Sequence, residues 1–405
     1  MSKKTKILWI VTELFYPEET STSYILTKIA NKLCEKYEVH VICGPASYEK
    51  SVRESVSENG LNKDVNVHRV SNIKLDKNKL FLRIIRFIIL SLQLSRLLAK
   101  NVKKEDKVLI VTNPAPLLIA ASILKKKIGF HLSILVHDVF PENTIPAGIF
   151  KSPRHPLYRV CKIVFDKAYR CADKLIVLGR DMQEVVQKKI KKKDSSVIII
   201  ENWADIVTIL AEERNSWAKE PDKCANQIHI QYAGNLGRVQ GLMTLLEVIK
   251  EADNPTLRFW FIGNGAVKKD MENYVKEHNL TNVSFIGNYK REEQNKILNN
   301  CDLSLVTLAK GMYGLGVPSK SYNIMAAGKP ILYIGDKNSE IGLLIQEKEI
   351  GFIFSPENRA EICNFFQNLS LNNLKQLSDM GKKARDVATN RYSENIILDR
   401  FMNIL

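Results

Sequence analysis

The feature that most restricts the fold is an alternation of short apolar runs with helical patterns, which pauses at the polar, aperiodic stretch Glu212–Asn226 and then starts again. Strand–helix alternation predicts a parallel sheet covered by helices on both faces. At 405 residues the chain exceeds one ordinary core, so two domains are expected. We therefore predict two Rossmann-like α/β domains facing each other across a cleft.

The predicted elements follow directly from these patterns. Strands of the first series are predicted at Lys6–Thr12, Glu38–Cys43, Val65–Val70, Lys107–Thr112, His131–His137, Lys174–Leu178 and Val197–Ile200, with helices at Thr22–Lys36, Leu80–Lys100, Leu117–Lys127, His155–Ala172 and Asp181–Lys189. Strands of the second series are predicted at Ile228–Ala233, Leu257–Ile262, Val283–Ile286, Leu303–Leu308, Ile331–Ile334 and Gly351–Phe354, with helices between them and two helices in the tail.

Ligands of such sheets bind at the carboxyl ends of the strands. This rule places the site in the loops after Thr12, His137, Ala233, Ile262 and Leu308. The loop after the first strand contains no Gly-x-Gly-x-x-Gly, which disfavours a dinucleotide cofactor.

The glycine-rich stretch Gly311–Pro330 follows an apolar strand candidate and leads into a short helix. Glycines let the backbone bend tightly and approach a ligand closely, and Pro318 suits a first helical turn. A phosphate site or an ordinary α/β loop would both fit this pattern. Its candidate ligand-binding residues are Gly314, Gly316, Pro318, Ser319, Lys320 and Asn323.

The loop after Ala233 brings an arginine into a second glycine loop. An arginine guanidinium suits bidentate phosphate recognition, so a diphosphate between Arg238 and Lys320 is predicted. No Asp-x-Asp occurs in the chain, so a metal bridging that diphosphate is not indicated. The candidates in this loop and the next are Gly234, Asn235, Gly237, Arg238, Gly263 and Gly265.

Two loops of the first series carry further candidates. Thr20, Ser21 and Thr22 stand at a helix start, where hydroxyls suit either helix capping or contact with sugars and phosphates. The run His137-Asp-Val-Phe-Pro-Glu142 puts a histidine and two acids at a strand end. His137, Asp138 and Glu142 are therefore candidate catalytic residues, although a structural histidine is the alternative.

Charge and cysteine usage limit the possible partners. The seven cysteines are scattered without a Cys-x-x-Cys pair, as expected for a reduced cytoplasmic protein without a zinc site. The net charge is +16, and residues 74–127 carry thirteen Lys and Arg against three acids, while Lys188–Lys193 adds five lysines. This surplus suits an anionic membrane surface, nucleic acid or an anionic substrate, and no nucleic-acid motif accompanies it.

The apolar segment Leu80–Ala99 has the length of a membrane span but contains Arg83, Arg86 and Arg96. A true span is therefore disfavoured. The alternatives are a mostly buried helix, and a helix or helical hairpin tip that enters the cytoplasmic leaflet.

Several motifs in the right order resemble the retaining family 4 glycosyltransferases of the GT-B fold over nearly the whole chain. The branch it resembles most builds bacterial O-antigens and capsules and includes fucosamine-type transferases. The motifs are Ile7-Leu-Trp-Ile-Val with Phe15-Tyr-Pro-Glu, Val136–Glu142, Ala172-Asp-Lys-Leu-Ile-Val, Glu201-Asn-Trp-Ala-Asp205, Tyr232-Ala-Gly-Asn-Leu-Gly with Gln-Gly241, and Val317–Pro330.

This resemblance implies an acceptor domain at 1–205, a nucleotide-sugar domain at 206–385 and a final helix, 386–405, that returns to the first domain. It implies a hexosyltransferase-type enzyme that needs no metal or other cofactor and retains the anomeric configuration. The implied partners are a nucleoside-diphosphate sugar, a polyprenyl-linked glycan acceptor and the anionic inner face of the cytoplasmic membrane. By position, Arg238 and Lys320 resemble the donor-site residues, and His137-Asp138 occupies the place near the transferred sugar.

The chain departs from the family pattern at three positions. Gln240 stands where many members carry a second lysine for the diphosphate. The family's paired glutamates would fall at Leu315 and Asn323, of which only Asn323 can hydrogen-bond a ribose hydroxyl. We hypothesise that backbone N–H groups of Gly314–Val317 hold the sugar in place of the missing glutamate.

Two other functions remain open from the sequence. A sugar-nucleotide 2-epimerase shares the architecture, but it would need its own acid/base carboxylates. It would also have no use for the basic, apolar segment at residues 74–127. A catalytically silent partner that tethers a polymerase complex to the membrane is compatible with Leu315 and Asn323.

Overall fold

The computed structural model describes residues 6–18, 20–45, 60–71, 80–191, 196–214 and 226–405. These residues form two compact units. Unit 1 comprises Met1–Ile145, Phe150–Ile200 and Ile397–Leu405, and unit 2 comprises Pro146–Ile149 and Glu201–Ile396. Parts of three predicted features, at residues 74–79, 192–193 and 215–225, lie outside the described residues.

Unit 1 is built on a seven-stranded sheet of order β3-β2-β1-β4-β5-β6-β7, in which all paired strands are parallel. Its central strands are almost wholly apolar because both of their faces are covered. The strands are β1 (Ile7–Thr12), β2 (Glu38–Cys43), β3 (Asn66–Arg69), β4 (Lys107–Val111), β5 (His131–Val136), β6 (Lys174–Val177) and β7 (Val197–Ile199).

The helices of unit 1 are α1 (Ser21–Leu33), α2 (Leu80–Asn101), α3 (Pro116–Ile128), α4 (Pro156–Arg170) and α5 (Arg180–Ile190). The chain reverses its direction of travel across the sheet between β1 and β4. Right-handed crossovers after that reversal place α2, α3, α4 and α5 on one face of the sheet. In agreement, α2 packs on α3, α3 on α4 and α4 on α5.

The segment predicted as a buried helix or a membrane-entering hairpin tip is one continuous helix, α2. Leu90, Leu94 and Leu98, spaced four residues apart, are fully buried. Ile84 and Ile88 are exposed on another side of the same helix. Among the described residues, no helix combines the length and apolar character needed to cross a membrane.

Unit 2 repeats the architecture with a parallel six-stranded sheet of order β10-β9-β8-β11-β12-β13. The strands are β8 (Ile228–Ala233), β9 (Leu257–Ile262), β10 (Val283–Ile286), β11 (Leu303–Thr307), β12 (Ile331–Ile334) and β13 (Gly351–Phe354). The helices are α6 (Leu242–Ala252), α7 (Lys268–Glu277), α8 (Gln294–Asn299), α9 (Lys320–Ala326), α10 (Glu340–Lys348), α11 (Arg359–Asn368) and α12 (Leu374–Arg391).

The observed boundary differs from the predicted one after Asp205. The segment Glu201–Asp205 belongs to unit 2 because its backbone is bonded there: the Ala204 N–H donates to the Tyr392 carbonyl at 2.7 Å, and the Asp205 N–H to Asn323 Oδ1 at 3.0 Å. The final helix, α13, spans Glu394–Ile404 rather than 386–405.

The end of α13 is held within unit 1 by lysine side chains. Lys36 Nζ donates to the Met402 carbonyl at 2.9 Å, and Lys107 and Lys174 donate to the carbonyls of Leu405 and Ile404. Lysines near a helix C-terminus bond its last carbonyls and favour its negative dipole end.

Candidate functional site

In the sheet of unit 2, successive strands are added first on one side of β8 and then, from β11 onward, on its other side. The strands β8 and β11 are therefore neighbours at the point where the strand order changes direction. Loops that follow two such strands diverge, and the crevice between them is where ligands of open α/β sheets bind. The two loops here are residues 234–241 and 308–319. They touch through a hydrogen bond from the Ala309 N–H to the Val239 carbonyl at 2.7 Å.

Lys320, the first residue of α9, reaches back over the end of β8. Its Nζ lies 3.4 Å from the ring centroid of Tyr232. A Cβ added to Gly234 would lie 3.2 Å from the same Nζ. Gly234 also has φ +143°, a conformation that side chains disfavour, so a glycine here both makes the turn and leaves room for the amine.

The Lys320 Nζ is buried and has no hydrogen-bond partner among the described residues. Burial lowers the pKa of this amine from 10.5 to about 7. The ring of Tyr232 attracts the cation but carries no charge. A buried ammonium that lacks an anion costs free energy, so the site is prepared for an anionic ligand.

The glycines of the next loop pack against the first loop. A Cβ on Gly263 would lie 2.1 Å from the Gly234 carbonyl oxygen, and one on Gly265 would lie 2.2 Å from that of Leu236. The Leu236 N–H donates to the Asn264 carbonyl at 2.9 Å. Gly263 and Gly265, predicted to bind the donor, therefore serve the close approach of these two backbones.

The predicted arginine lies in the same loop. Arg238 begins a single 3₁₀ turn, Arg238–Gln240, and is exposed. It has no ion pair or hydrogen bond with the part of the chain that the structure describes. The side chain of Gln240 points into the loop. A Cβ on Gly237 would lie 2.6 Å from Gln240 Oε1 and 2.8 Å from Asn235 Nδ2. Arg238 is thus an available cation beside a buried amide.

The glycine-rich loop contributes a buried apolar side chain to this region. Leu315, in place of a family glutamate, is 6% exposed, and its N–H donates to the Met312 carbonyl at 3.1 Å. That N–H is therefore occupied, which removes one donor from the hypothesis that the backbone of Gly314–Val317 holds the sugar. Gly314 has φ +65°. Gly316, Pro318 and Ser319 are half-buried between it and α9.

Asn323, the predicted ribose contact, also has a structural contact within unit 2. Its Oδ1 accepts the hydrogen bond from the Asp205 N–H that anchors the segment Glu201–Asp205. The carboxylate of Asp205 is 3.3 Å from Arg291 Nη2. Asn323 thus joins two segments of unit 2.

The position of α9 is fixed in part by an arginine that the sequence analysis did not identify. Arg385 on α12 donates to the carbonyls of Ile206, Ile209 and Ala326, the last residue of α9. A Cβ on Gly381 would lie 2.1 Å from the Gly328 carbonyl oxygen, so α12 touches the end of this region. Arg385 is a positioning residue for the helix that carries Lys320.

In unit 1, His137 and Asp138 follow β5 as predicted and share one anchor. Both backbone N–H groups donate to Thr112 Oγ1 at 3.1 Å. The His137 Nε2 is buried without a hydrogen-bond partner among the described residues, and burial lowers the pKa of the ring to about 4. Burial raises the pKa of Asp138 to about 6. A neutral imidazole and a carboxylate that titrates near neutrality can exchange hydrogen bonds with a hydroxyl-rich ligand.

Glu142, predicted to be catalytic, is instead tied into an ion-pair cluster. Its carboxylate lies 2.6 Å from Lys162 Nζ and 2.9 Å from the buried Lys189 Nζ. Asp166 pairs with the same Lys189 at 2.5 Å. Buried Lys189 requires these carboxylates, so Glu142 has a structural role that the spacing of the motif could not reveal.

Thr20 caps α1, since its Oγ1 accepts from the Ser23 N–H at 3.2 Å. Ser21 is exposed and Thr22 half-buried in the first turn. Of the two interpretations of this loop, the structure shows helix capping for Thr20.

A second cluster at the same edge of unit 1 was not predicted. Glu13 is buried after β1 and lies 2.7 Å from Arg86 Nη1 on α2. Its other oxygen accepts from Asn113 Nδ2, after β4, at 3.1 Å. The sequence feature that could have revealed this cluster is an acidic residue directly after a central strand. Within the described residues, no group of three or more His, Cys, Asp or Glu is placed to hold a metal ion.

Comparison with known proteins agrees with this geometry. The model for Glycosyl transferases group 1 matches residues 213–387, and that for Glycosyltransferase Family 4 matches residues 23–207. The Probable glycosyltransferase WbjE of Pseudomonas aeruginosa is 32% identical over 396 residues, which cover 97% of this chain and 96% of that protein. The Putative colanic acid biosynthesis glycosyl transferase WcaI of Escherichia coli (strain K12) is 24% identical over 237 residues, covering 57% of this chain and 56% of WcaI.

Solved structures extend the likeness to the fold. Anabaena Alr3699/HepE, solved in complex with UDP, superposes with a TM-score of 0.69 at 15% sequence identity, covering 98% of both chains. At this identity the match concerns the fold alone.

Proposed function

Because the chain belongs to the glycosyltransferases of group 1 and family 4, with the GT-B fold of two Rossmann-like domains, we propose that it transfers a hexosyl unit from a nucleoside-diphosphate sugar to a lipid-linked glycan, with retention of configuration. In this proposal unit 2 binds the donor, and unit 1 contributes the acceptor side.

The observation that carries the proposal is the Lys320 amine, buried beside the Gly234 turn with no counterion. A diphosphate supplies the negative charge that this amine lacks. Arg238, exposed on the adjoining turn, would pair with a second phosphate oxygen. The binding of UDP by HepE, which shares the fold, supports a nucleoside diphosphate as the ligand.

Lys320 and Arg238 would also stabilise the charge that develops on the leaving diphosphate. The buried Lys320 amine and the exposed Arg238 guanidinium could both face such a charge. We therefore include metal-independent transfer in the proposal. Activity that persists in excess EDTA would support it, and activity restored only by a divalent cation would contradict it.

The proposed chemistry is a front-face displacement. The acceptor hydroxyl oxygen bonds to the anomeric carbon while the bond from that carbon to the diphosphate oxygen breaks. The hydroxyl proton passes to the departing phosphate oxygen, and the nucleoside diphosphate leaves. His137 and Asp138 would hydrogen-bond the transferred sugar, consistent with the buried, unpartnered Nε2 of His137.

We further propose that the product is a cell-surface polysaccharide of the O-antigen or capsule type, with a fucosamine-type donor as one candidate. The name of WcaI, which assigns it to colanic acid biosynthesis, supports a polysaccharide pathway. The polyprenyl-linked acceptor would place the enzyme at the inner face of the cytoplasmic membrane.

A panel of radiolabelled nucleotide sugars, incubated with polyprenyl-diphosphate sugars, tests the proposal. We expect one donor to yield a labelled, organic-extractable product whose anomeric coupling matches that of the donor. Lys320→Ala and Arg238→Ala should abolish the product, whereas Lys337→Ala, on an exposed loop of the same unit, should not. Inverted product would refute retention, free epimerised donor would indicate a 2-epimerase, and no turnover with the full panel would favour a non-catalytic role.

A further inference from the structure

The turn that follows β5 is bound from two sides by buried hydroxyl groups. On one side, the backbone N–H groups of His137 and Asp138 both donate to Thr112 Oγ1 at 3.1 Å. On the other side, the Tyr169 hydroxyl accepts from the Phe140 N–H and donates to the Asp138 carbonyl, each at 3.4 Å. Neither Thr112 nor Tyr169 is exposed to solvent. We call these two residues the hydroxyl clamp.

The position of Thr112 is itself fixed by its neighbours. Thr112 directly follows β4, and its N–H donates to the Leu135 carbonyl of β5 at 3.3 Å. The next residue, Asn113, donates through its Nδ2 to Glu13 Oε2 at 3.1 Å, and Glu13 pairs with Arg86 on α2. The oxygen that accepts the two N–H groups is therefore tied both to β5 and to the residue that follows β1.

The ring of Tyr169 is held on α4 beside an ion-pair cluster. Lys189 Nζ lies 5.0 Å from the ring centroid, and Lys189 is paired with Glu142 and Asp166. Burial raises the pKa of the Tyr169 hydroxyl, so the group stays protonated at neutral pH. A protonated phenol can donate one hydrogen bond and accept another, and the turn uses both.

The two side chains that this turn carries depend on where it is placed. His137 Nε2 is buried without a hydrogen-bond partner among the described residues. Burial raises the pKa of Asp138 to about 6. The acids close to Tyr169, Glu142 and Asp166, are each paired with lysine. The pKa of Asp138 therefore reports how deeply its carboxyl group is buried.

We propose that Thr112 and Tyr169 are positioning residues for sugar transfer, whose hydroxyls hold the turn so that His137 and Asp138 keep one orientation toward the transferred sugar. The inference rests on the proposed function, in which His137 and Asp138 hydrogen-bond that sugar. A displacement of about 1 Å in an active site can cost about 100-fold in rate, so a residue that touches no substrate can still control turnover.

Three substitutions test the clamp in steady-state kinetics. Thr112→Val keeps the shape of the side chain but leaves two buried N–H groups without an acceptor, and should lower kcat about tenfold or more. Thr112→Ser keeps the oxygen and should transfer sugar at close to the wild-type rate. Tyr169→Phe removes the other hydroxyl, whose bonds are longer, and should lower kcat by about three- to tenfold. Nucleotide affinity, measured by titration calorimetry, should stay at the wild-type value in all three, because unit 2 binds the donor in the proposed function.

The pH dependence separates positioning from a general loss of stability. When the turn loses its anchor in Thr112→Val, the Asp138 carboxyl group should become more hydrated, so its pKa should fall from about 6 toward its usual range. The acidic limb of the pH–rate profile should move to lower pH with it. Carbon-13 NMR of carboxyl-labelled aspartate measures the same pKa without turnover, with the resonance assigned by its absence in Asp138→Asn. Thr112→Ser should titrate as the wild type does.

The matched control is Thr27→Val. It removes another buried threonine hydroxyl of unit 1, which donates to the Ser23 carbonyl within α1 at 2.8 Å. Thr27→Val should lose stability but keep the wild-type kcat and acidic limb. Scanning calorimetry of each variant verifies that it is folded, and Tyr169→Phe carries the test where Thr112→Val does not fold.

A wild-type rate in the folded clamp variants, a loss of rate that Thr112→Ser or Thr27→Val shares, or an unshifted pKa of Asp138 would overturn the proposal. These results would leave the proposed function intact as long as the wild type transfers sugar. A wild type that transfers no sugar from any donor would instead reject the proposed function. The NMR titration would then still decide whether the clamp holds the turn, since an unchanged pKa of Asp138 in Thr112→Val would show that it does not.

Discussion

Replacing Lys320 by Met should stabilise the ligand-free protein while destroying donor binding. Methionine keeps the length and apolar stem of lysine but removes the buried charge. In the wild type, burial lowers the pKa of this amine from 10.5 to about 7. At about 1.36 kcal/mol for each pH unit, keeping the charged amine in the folded state costs roughly 5 kcal/mol.

This cost has a defined dependence on pH. Below pH 7 the amine is charged in both the folded and unfolded states, so the cost is fully present. As pH rises from about 7 toward 10.5, the folded state loses its proton first, and the cost falls to zero. The wild type should therefore gain stability over this range, and Lys320→Met should lose that pH dependence.

Attraction to the Tyr232 ring offsets part of the cost, so we expect a net gain of about 2–3 kcal/mol for the variant at pH 6. For a domain of this size the melting temperature should rise by roughly 5 °C or more. Affinity for the donor nucleotide should fall about 100-fold, as expected for the loss of a charged hydrogen bond of about 3 kcal/mol.

Differential scanning calorimetry of the ligand-free protein between pH 6 and 10, and titration calorimetry with the nucleotide, measure the two effects. Lys337→Met, at an exposed position, controls for removal of a lysine and should change neither quantity appreciably. A variant that melts below the wild type at pH 6, or that binds the nucleotide normally, would refute the argument that Lys320 is an uncompensated buried cation.

Other substitutions test the remaining parts of the site. Gly234→Val should reduce turnover at least about tenfold in steady-state kinetics, because the added side chain crowds the Lys320 amine and strains the turn at φ +143°; near-normal turnover would show that the turn is not critical. Asp138→Asn should remove the acidic limb of the pH–rate profile, which we expect near pH 6 from the raised pKa of Asp138; an unchanged limb would exclude this carboxyl group. Glu142→Gln should lower the unfolding free energy by about 3 kcal/mol in denaturant titrations, because the buried Lys189 loses a counterion, while nucleotide binding is unchanged; a loss of turnover without a loss of stability would restore a catalytic role to Glu142.

Most of the architecture was accessible from the sequence because local patterns encode it. Both sheets, their parallel strands and the helices between them follow from apolar runs of strand length separated by helical periodicity. The ends of elements differ by a few residues, as for α9, which begins at Lys320 instead of Pro318. Frayed or 3₁₀ turns at helix ends leave little trace in the pattern of side chains.

The interactions of the site residues depend on contacts between distant positions, which one sequence does not display. Asn323 bonds to a residue 118 positions away, and Glu142 to one 47 positions away. Neither partner can be selected from composition or spacing. The glycine loops were recognisable, but whether a glycine faces a ligand or another backbone, as Gly263 does, is decided only by packing.

Proton uptake on binding of the donor nucleotide tests the central claim most directly, namely that Lys320 is prepared for a diphosphate. Titration calorimetry of the wild type in buffers of different ionisation enthalpy measures this uptake. With the amine at a pKa of about 7 when unliganded, and fully charged when it pairs with the diphosphate, we expect roughly 0.9 protons to be taken up at pH 8. Binding that is equally tight but takes up no proton at pH 8 would contradict the account.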